Sequence, residues 1–168
     1  MSPTVTPRAS RPKMPEGYSI PENETILLPW NHAEDQLIAA LNYWVSTVRP
    51  DGRPHAMPTW GVWLDGKLYI EGSPETRRFR NIAHNPAVVV HLENGSQVVI
   101  LEGRAQATGK PPQALAEKLS RAYTAKYSPQ GYSPGLDNWD NGGLYEVIPL
   151  VAFGWTKFPD DTTRWKFE

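Results

Sequence analysis

The chain contains no cysteine, and this absence excludes several classes of chemistry at once. Without cysteine there is no disulfide framework, no thiolate nucleophile and no cysteine-ligated metal. The absence also fits a reducing compartment, so we expect a cytoplasmic protein. Long apolar runs are missing too. The sequence has no apolar core typical of a signal peptide and no run near the ~18–20 residues of a membrane helix, so we expect no membrane association.

An excess of charge of one sign is also lacking. The 17 Lys and Arg nearly balance the 18 Asp and Glu, which gives a formal net charge of −1. Nucleic-acid-binding domains usually carry a basic excess, so we expect no nucleic-acid partner. His84 and His91 have no third ligand at a suitable spacing, and we therefore expect no metal site.

Proline and tryptophan, by contrast, are abundant, with 17 Pro and 7 Trp in 168 residues. Five of the prolines lie within residues 1–25, which we interpret as an extended N-terminal arm. The remaining residues, 26–168, have the length of a single domain. Tryptophan is typical of cores, of subunit interfaces and of surfaces that stack on planar ligands. The tryptophan content therefore favours a dimer or a planar cofactor without choosing between them.

Short β-like runs separated by turn signals dominate the sequence. The predicted strands cover residues 43–48, 55–64, 67–71, 87–93, 97–107, 144–148, 151–158 and 163–167, and the predicted helices cover residues 32–41, 75–84 and 111–127. We expect Asn31 to cap the first helix. The nearly continuous apolar run at residues 87–93 predicts a strand buried on both faces. Consecutive hairpins exclude a parallel α/β sheet, so the pattern predicts a mainly β barrel with flanking helices.

A basic segment interrupts the strands and is the main candidate for chemistry. Gly72-Ser73-Pro74 ends a strand, and Thr76, Arg77 and Arg78 open the helix that follows. Free backbone N–H groups and the helix dipole favour an anion at such a position. Arginine guanidinium groups add charge-assisted hydrogen bonds. The alternative interpretation is a solvated, charged start of a helix.

The order of these segments resembles that of a known family. The matching stretches are Trp44, residues 47–54 (TVRPDGRP), Thr59-Trp60-Gly61, residues 76–82 (TRRFRNI), Asn85-Pro86 and residues 99–103 (VILEG). Together they resemble the pyridoxamine 5′-phosphate oxidase-like split-barrel flavoproteins, a family that includes flavin- and deazaflavin-dependent oxidoreductases. The resemblance covers about residues 32–108, with weaker support towards the C-terminus.

The resemblance implies an FMN-binding split β-barrel that forms a homodimer, with cofactor sites at the subunit interface. It assigns the phosphate to Thr76, Arg77 and Arg78, and it places Gly72 and Ser73 in a loop that approaches the cofactor. The flavin ring would lie along the strand that contains His55, Met57, Pro58, Thr59 and Trp60. Val98 falls opposite a glutamine that authentic oxidases place near the ring.

Two departures argue against vitamin B6 synthesis. Met57 and Val62 stand where authentic oxidases carry an arginine and a lysine for the FMN phosphate, and the C-terminal Arg-x-His substrate motif is not apparent. The resemblance therefore implies an FMN- or coenzyme F420-dependent oxidoreductase that transfers a hydride to or from a small, planar substrate. The catalytic residue is unknown. His55 is the one candidate general acid, and the alternative is a strand histidine bonded to a neighbouring carbonyl.

Other functions remain open at this point. The same barrel would serve as a non-catalytic carrier of a flavin, a haem or another tetrapyrrole. It would also serve as a dimeric barrel without a cofactor, in which Arg77 and Arg78 only form salt bridges. The long loop at residues 128–143 contributes Tyr132 and Trp139 as candidates for a substrate site, since loops of this length are often functional.

Overall fold

The computed structural model describes residues 6–168 as a sheet with helices packed on it. The strands are β1 (Arg8–Ser10), β2 (Tyr43–Val48), β3 (Pro54–Thr59), β4 (Gly61–Leu64), β5 (Lys67–Glu71), β6 (Ala87–His91), β7 (Val98–Ala107), β8 (Leu144–Trp155) and β9 (Thr163–Lys166). The helices are α1 (Trp30–Ala39), α2 (Arg77–His84) and α3 (Gln113–Tyr127). Residues 1–5 of the predicted arm lie outside the described residues.

Every strand pairing is antiparallel, which agrees with the mainly β class predicted from the sequence. The main path has the order β1-β9-β8-β7-β6-β2-β3, while β5 pairs with both β8 and β4. Part of the N-terminal arm belongs to the sheet, because Arg8 to Ser10 pair with Lys166 to Arg164. Within residues 6–168, none of the helices has the length and apolar character needed to cross a bilayer.

The chain changes partners at Trp60. The sequence predicts one strand at residues 55–64, and that prediction is wrong, because β3 pairs with β2 whereas β4 pairs with β5. Gly61 begins the second strand, and a Cβ there would lie 2.7 Å from the carbonyl oxygen of Tyr69. Because Gly61 has no side chain, its backbone can lie close to β5 as the chain passes from β3 into β4.

The two strands predicted at residues 144–148 and 151–158 are one continuous strand, β8. Pro149 does not end it, because a bulge in the β7–β8 ladder lies at Glu102 and Gly103, where Gly103 pairs with Pro149. Proline is tolerated at a bulge, where no ladder hydrogen bond is required from it. A Cβ on Gly103 would lie 2.3 Å from the carbonyl oxygen of Ile148, so the bulge needs glycine.

Two local predictions fail because packing decides them. Asn31 does not cap α1, since the helix begins one residue earlier at Trp30, which is buried against Trp63 and Trp165. Strand β6 is not buried on both faces either. Val88 and Val90 point into the core while the residues between them are more exposed, so β6 has one buried face.

The core has two parts that meet along β4 and β5. The larger cluster lies between the sheet and helices α1 and α2, and the smaller one lies under α3. In the smaller cluster the Tyr127 hydroxyl accepts a hydrogen bond from the Gly61 N–H at 2.9 Å and lies 2.8 Å from the Leu41 carbonyl oxygen, to which it donates. Because these groups are buried, α3 is tied to the point where β3 becomes β4.

We predict that Tyr127→Phe lowers the free energy of unfolding by about 1–3 kcal/mol, because it leaves the buried Gly61 N–H without an acceptor. Urea unfolding followed by far-UV circular dichroism measures the change. Tyr18→Phe is the control, since Tyr18 is half exposed. Equal midpoints for the two variants would contradict the structural role of the Tyr127 hydroxyl.

Candidate functional site

Helix α2 is held against the sheet by one aromatic contact and one buried hydrogen bond. The ring of Phe79 stacks on Tyr145, with ring centroids 3.6 Å apart and ring planes 7° apart. The Asn81 side-chain N–H donates to the Thr47 hydroxyl at 2.9 Å. The helix begins after Thr76, whose backbone is extended, and ends at Asn85, just before a proline. The basic residues of its first turn therefore have a fixed position relative to β2 and β3.

The arginines of this turn have no acidic partner. Arg78 lies over the Phe79 ring, with its guanidinium carbon 4.7 Å from the ring centroid. Its Nε is buried without a hydrogen-bond partner among the described residues. Within residues 6–168 neither Arg77 nor Arg78 forms an ion pair, so the structure does not place them in the salt bridges of the cofactor-free alternative.

Arg49 lies near the same histidine as these arginines, although it was not among the site residues predicted from the sequence. It follows Thr47 by two residues at the end of β2, and Thr47 pairs across the ladder with His55. Alternate residues of a strand share one face, so the two-residue spacing of Thr47 and Arg49 in the sequence could have predicted that Arg49 lies near His55. The Arg49 Nε is buried and has no hydrogen-bond partner within residues 6–168.

His55 lies among these positive charges. The pKa of His55 is lowered by burial and by the charges of Arg49, Arg77 and Arg78. The nearest hydrogen-bonding group to its Nδ1 is the Thr47 hydroxyl, at 3.5 Å. At neutral pH the imidazole is therefore uncharged, and it is suited to a hydrogen bond rather than to acting as a strong acid.

A cleft of about 550 Å³ lies next to Arg78, whose Nη2 is near Gly72 in the cleft wall. The end of β3, residues 71–74 and the loop at residues 132–143 form its walls, and four predicted cofactor residues line it: Thr59, Trp60, Gly72 and Ser73. Trp60 stacks on Tyr127 with ring centroids 4.7 Å apart and remains 38% exposed. The cleft thus combines a flat aromatic surface with backbone that a ligand can approach closely.

Gly72 lies in the cleft wall at the point closest to Arg78. Its φ of +150° is one that side chains rarely adopt, and a Cβ there would lie 3.0 Å from the Phe79 ring. The same Cβ would lie 3.8 Å from the Arg78 Nη2. The Gly72 N–H donates to the Gly143 carbonyl oxygen at 2.9 Å, which joins the strand end to the long loop.

Glu71 is a second residue that the sequence analysis missed. The Trp139 indole N–H donates to its Oε2 at 2.7 Å, and the Asn138 side-chain N–H approaches the same oxygen at 3.3 Å. The pKa of Tyr132 is raised by burial and by the neighbouring carboxylate of Glu71. Tyr132 and Trp139 were candidates for a substrate site, and both line the cleft.

The remaining predicted residues lie outside the cleft. Met57 and Pro58 are exposed on β3, and Thr76 is exposed at the start of α2 without a side-chain capping bond. Val98 is buried on β7, where it pairs with Trp155. Two strands, β6 and β2, separate β7 from β3 within one chain, so Val98 does not adjoin the strand predicted to contact the ring.

These residues fit the cofactors that the sequence implies. Two buried guanidinium Nε atoms without partners, next to the start of a helix, provide hydrogen-bond donors for a phosphate. The adjoining aromatic cleft has room for a flat ring. Among residues 6–168 there is no cluster of three or more His, Asp or Glu arranged to hold a metal ion.

We predict that Arg49→Met raises the pKa of His55, because it removes one of the positive charges that disfavour the imidazolium form. Inorganic phosphate should raise the same pKa in the unaltered protein, because a bound anion favours the imidazolium. An NMR titration of the histidine ring protons measures both effects. Arg53→Met is the control, since Arg53 is exposed and paired with Asp51. A pKa unchanged by Arg49→Met and by phosphate would contradict this electrostatic description.

Comparisons with known proteins identify the family and the fold. The family model for pyridoxamine 5′-phosphate oxidase matches residues 7–139. No curated protein has a matching sequence. An F420 reductase structure is 24% identical, with a TM-score of 0.55 over 83% of this chain and 98% of that one.

Two mycobacterial structures share the fold at lower identity. A conserved hypothetical protein from Mycobacterium tuberculosis is 21% identical, with a TM-score of 0.62 over 79% of this chain and 88% of that one. A haem-binding protein from Mycobacterium smegmatis is 15% identical, with a TM-score of 0.60 over 82% of this chain and 59% of that one. The family model covers most of the sequence, and the chain therefore belongs to the pyridoxamine 5′-phosphate oxidase-like split-barrel family.

Proposed function

We propose that the protein is an oxidoreductase that uses FMN or coenzyme F420 and transfers a hydride to or from a small, planar substrate. The observation that carries the proposal is the group of Arg49, Arg77 and Arg78, which have no acidic partner within residues 6–168, with Arg78 beside an aromatic cleft. Arg49 and Arg78 are partly buried, whereas Arg77 is exposed, and a partly buried arginine without a partner is costly unless an anion binds to it. Hydride transfer is the chemistry that the bound cofactor supplies, while the protein binds and orients it.

Each part of the site has a separate role in this proposal. Arg77, Arg78 and the free N–H groups at the start of α2 hold the phosphate, with Arg49 supplying a further charge from β2. The neutral His55 donates a hydrogen bond to the anion or orients it. Thr59 and Trp60 form a wall of the cleft that the ring and the substrate share, and the loop at residues 132–143 shields the site from water.

The structure gives a physical reason to separate this protein from authentic pyridoxamine phosphate oxidases. Val62, at one of the positions that lack the usual basic residue, is buried in the core under α3. Met57, at the other, is 49% exposed on β3. Neither supplies charge to a phosphate. Arg49, from a different strand, supports the proposal that this chain binds its anion by another set of residues.

A second candidate is a carrier of haem or another tetrapyrrole without turnover. The observation in its favour is the position of the neutral His55, because an uncharged imidazole is a common iron ligand and the arginines beside it would pair with propionates. The fold is also shared with the haem-binding protein from Mycobacterium smegmatis. A Soret band that shifts on binding to the protein and is lost in His55→Ala would support this candidate over the oxidoreductase.

We also propose that the protein is a homodimer in the cytoplasm. The open face of the sheet has an apolar hollow of about 420 Å³ lined by Val48, Val89, Leu150 and Val151. Leu150 is 47% exposed in one chain, and an apolar concave face of this kind is typical of a subunit interface. The absence of cysteine supports the cytoplasmic location.

We predict that the protein binds FMN or coenzyme F420 with a dissociation constant in the micromolar range or below. Arg77→Gln and Arg78→Gln should each weaken binding about 10-fold to 100-fold, because each removes a charge-assisted hydrogen bond. Arg121→Gln is the matched control, since Arg121 is an exposed arginine on a different helix, α3. Fluorescence titration with each cofactor makes the measurement and decides between them. Micromolar binding of neither cofactor would overturn the proposed oxidoreductase.

We predict a dimeric mass in solution at micromolar concentration. Leu150→Asp should shift the protein towards the monomer, since it places a charge on the apolar face. Leu136→Asp is the control, because Leu136 has nearly the same exposure, 48%, in the long loop. Sedimentation velocity measures both variants. A monomeric mass for the unaltered protein would refute the dimer.

A further inference from the structure

The cleft has a charge opposite to that of the arginines beside it. Glu71 is the only residue with an ionisable acidic or basic side chain other than tyrosine among those that line the cleft in the described part of the chain. The residues of the long loop that line the cleft, Tyr132, Asn138, Trp139, Asn141, Gly142 and Gly143, include no lysine or arginine that would neutralise this carboxylate. Gly72 lies between Glu71 and Arg78. A ligand in the cleft is therefore near the Glu71 carboxylate, while a group bound near Arg78 is next to a guanidinium.

The Glu71 carboxylate has a fixed position at the cleft wall. Both donors that reach it, the Trp139 indole N–H and the Asn138 amide, meet the same oxygen, Oε2. The Tyr132 hydroxyl is close enough to the same carboxylate for Glu71 to raise the pKa of Tyr132, so Glu71 offers a ligand its negative charge at a wall fixed by three loop residues. Because the indole N–H of Trp139 is part of a buried ring, the carboxylate does not need to reorganise when a ligand arrives.

Aromatic rings surround this carboxylate. Trp60 covers Tyr127 with one part of its surface and lies 6.1 Å from Tyr132, with ring planes 50° apart. Trp60, Tyr132 and Trp139 all line the cleft. Faces of tryptophan and tyrosine rings attract cations, and they also stack on flat heterocycles. A carboxylate among aromatic rings is a combination suited to a planar group with positive charge.

We propose that the cleft selects planar heteroaromatic compounds that carry a cationic or N–H-bearing ring nitrogen, which stacks on Trp60 and pairs with Glu71. The inference names the substrate class of the oxidoreductase and in that respect rests on the proposed function. Binding in the cleft itself does not require the cofactor, because none of the arginines that would hold the cofactor phosphate is among the described residues that line the cleft. The two ends of the site thus take groups of opposite charge.

The test compares three planar probes of similar size with the full-length protein at pH 8: N-methylquinolinium (cationic), quinoline (neutral) and quinaldate (anionic). Tryptophan fluorescence quenching gives the dissociation constant of each probe, with and without saturating FMN or F420. We expect the cation to bind about tenfold more tightly than quinoline, and we expect Glu71→Gln to abolish most of that difference. Asp65→Asn is the control, since Asp65 is exposed and paired with Lys118.

Salt dependence provides a measurement that needs no variant. Raising the ionic strength should weaken binding of the cation and leave binding of quinoline nearly unchanged. An equal affinity for the three probes, a preference for quinaldate, or a cation preference that Glu71→Gln leaves intact would overturn the inference. Cation selectivity in a protein that binds neither cofactor would leave the inference standing and refute the proposed oxidoreductase instead, so the two failures are distinguishable.

Discussion

The packing of α2 on the sheet is the constraint on which the rest of the site depends. The stacked pair Phe79 and Tyr145 and the buried bond from Asn81 to Thr47 fix the helix in position and rotation. Arg78 lies over the same Phe79 ring, and His55 lies across the ladder from the same Thr47. The residues that bury the helix therefore also position the charged residues next to it.

The site that results has two ends of opposite charge within a short distance. Arg49, Arg77 and Arg78 surround a histidine whose pKa they lower, while Glu71 lies among aromatic rings in the cleft. Gly72 separates the two ends and lets the backbone pass where a side chain would meet Phe79. This separation matters for function, because the Glu71 carboxylate and the guanidinium groups would otherwise pair with each other and not with a ligand.

Much of the strand order could be predicted from the sequence, because hairpin turns and alternation are local signals. Strand β2, its hairpin to β3 and the helix before Asn85-Pro86 lie close to their predicted positions. The predicted strand boundaries are wrong where residues distant in the sequence determine the local structure. Pro149 lies inside a strand because Gly103, on another strand, makes a bulge opposite it. At Trp60 the chain changes the strand with which it pairs, and this change depends on the close approach of Gly61 to β5, which the local sequence does not predict.

The sequence by itself determined the family, the mainly β class and the basic segment at Thr76, Arg77 and Arg78, since each of these depends on residues close together in the chain. Only the tertiary structure brought Arg77 and Arg78 to His55 and turned Glu71 towards Trp139 in the long loop. It also placed Val98 away from the cleft of its own chain. The physical reason is that a site's charge depends on which side chains share one space, and strand pairing between distant segments decides that.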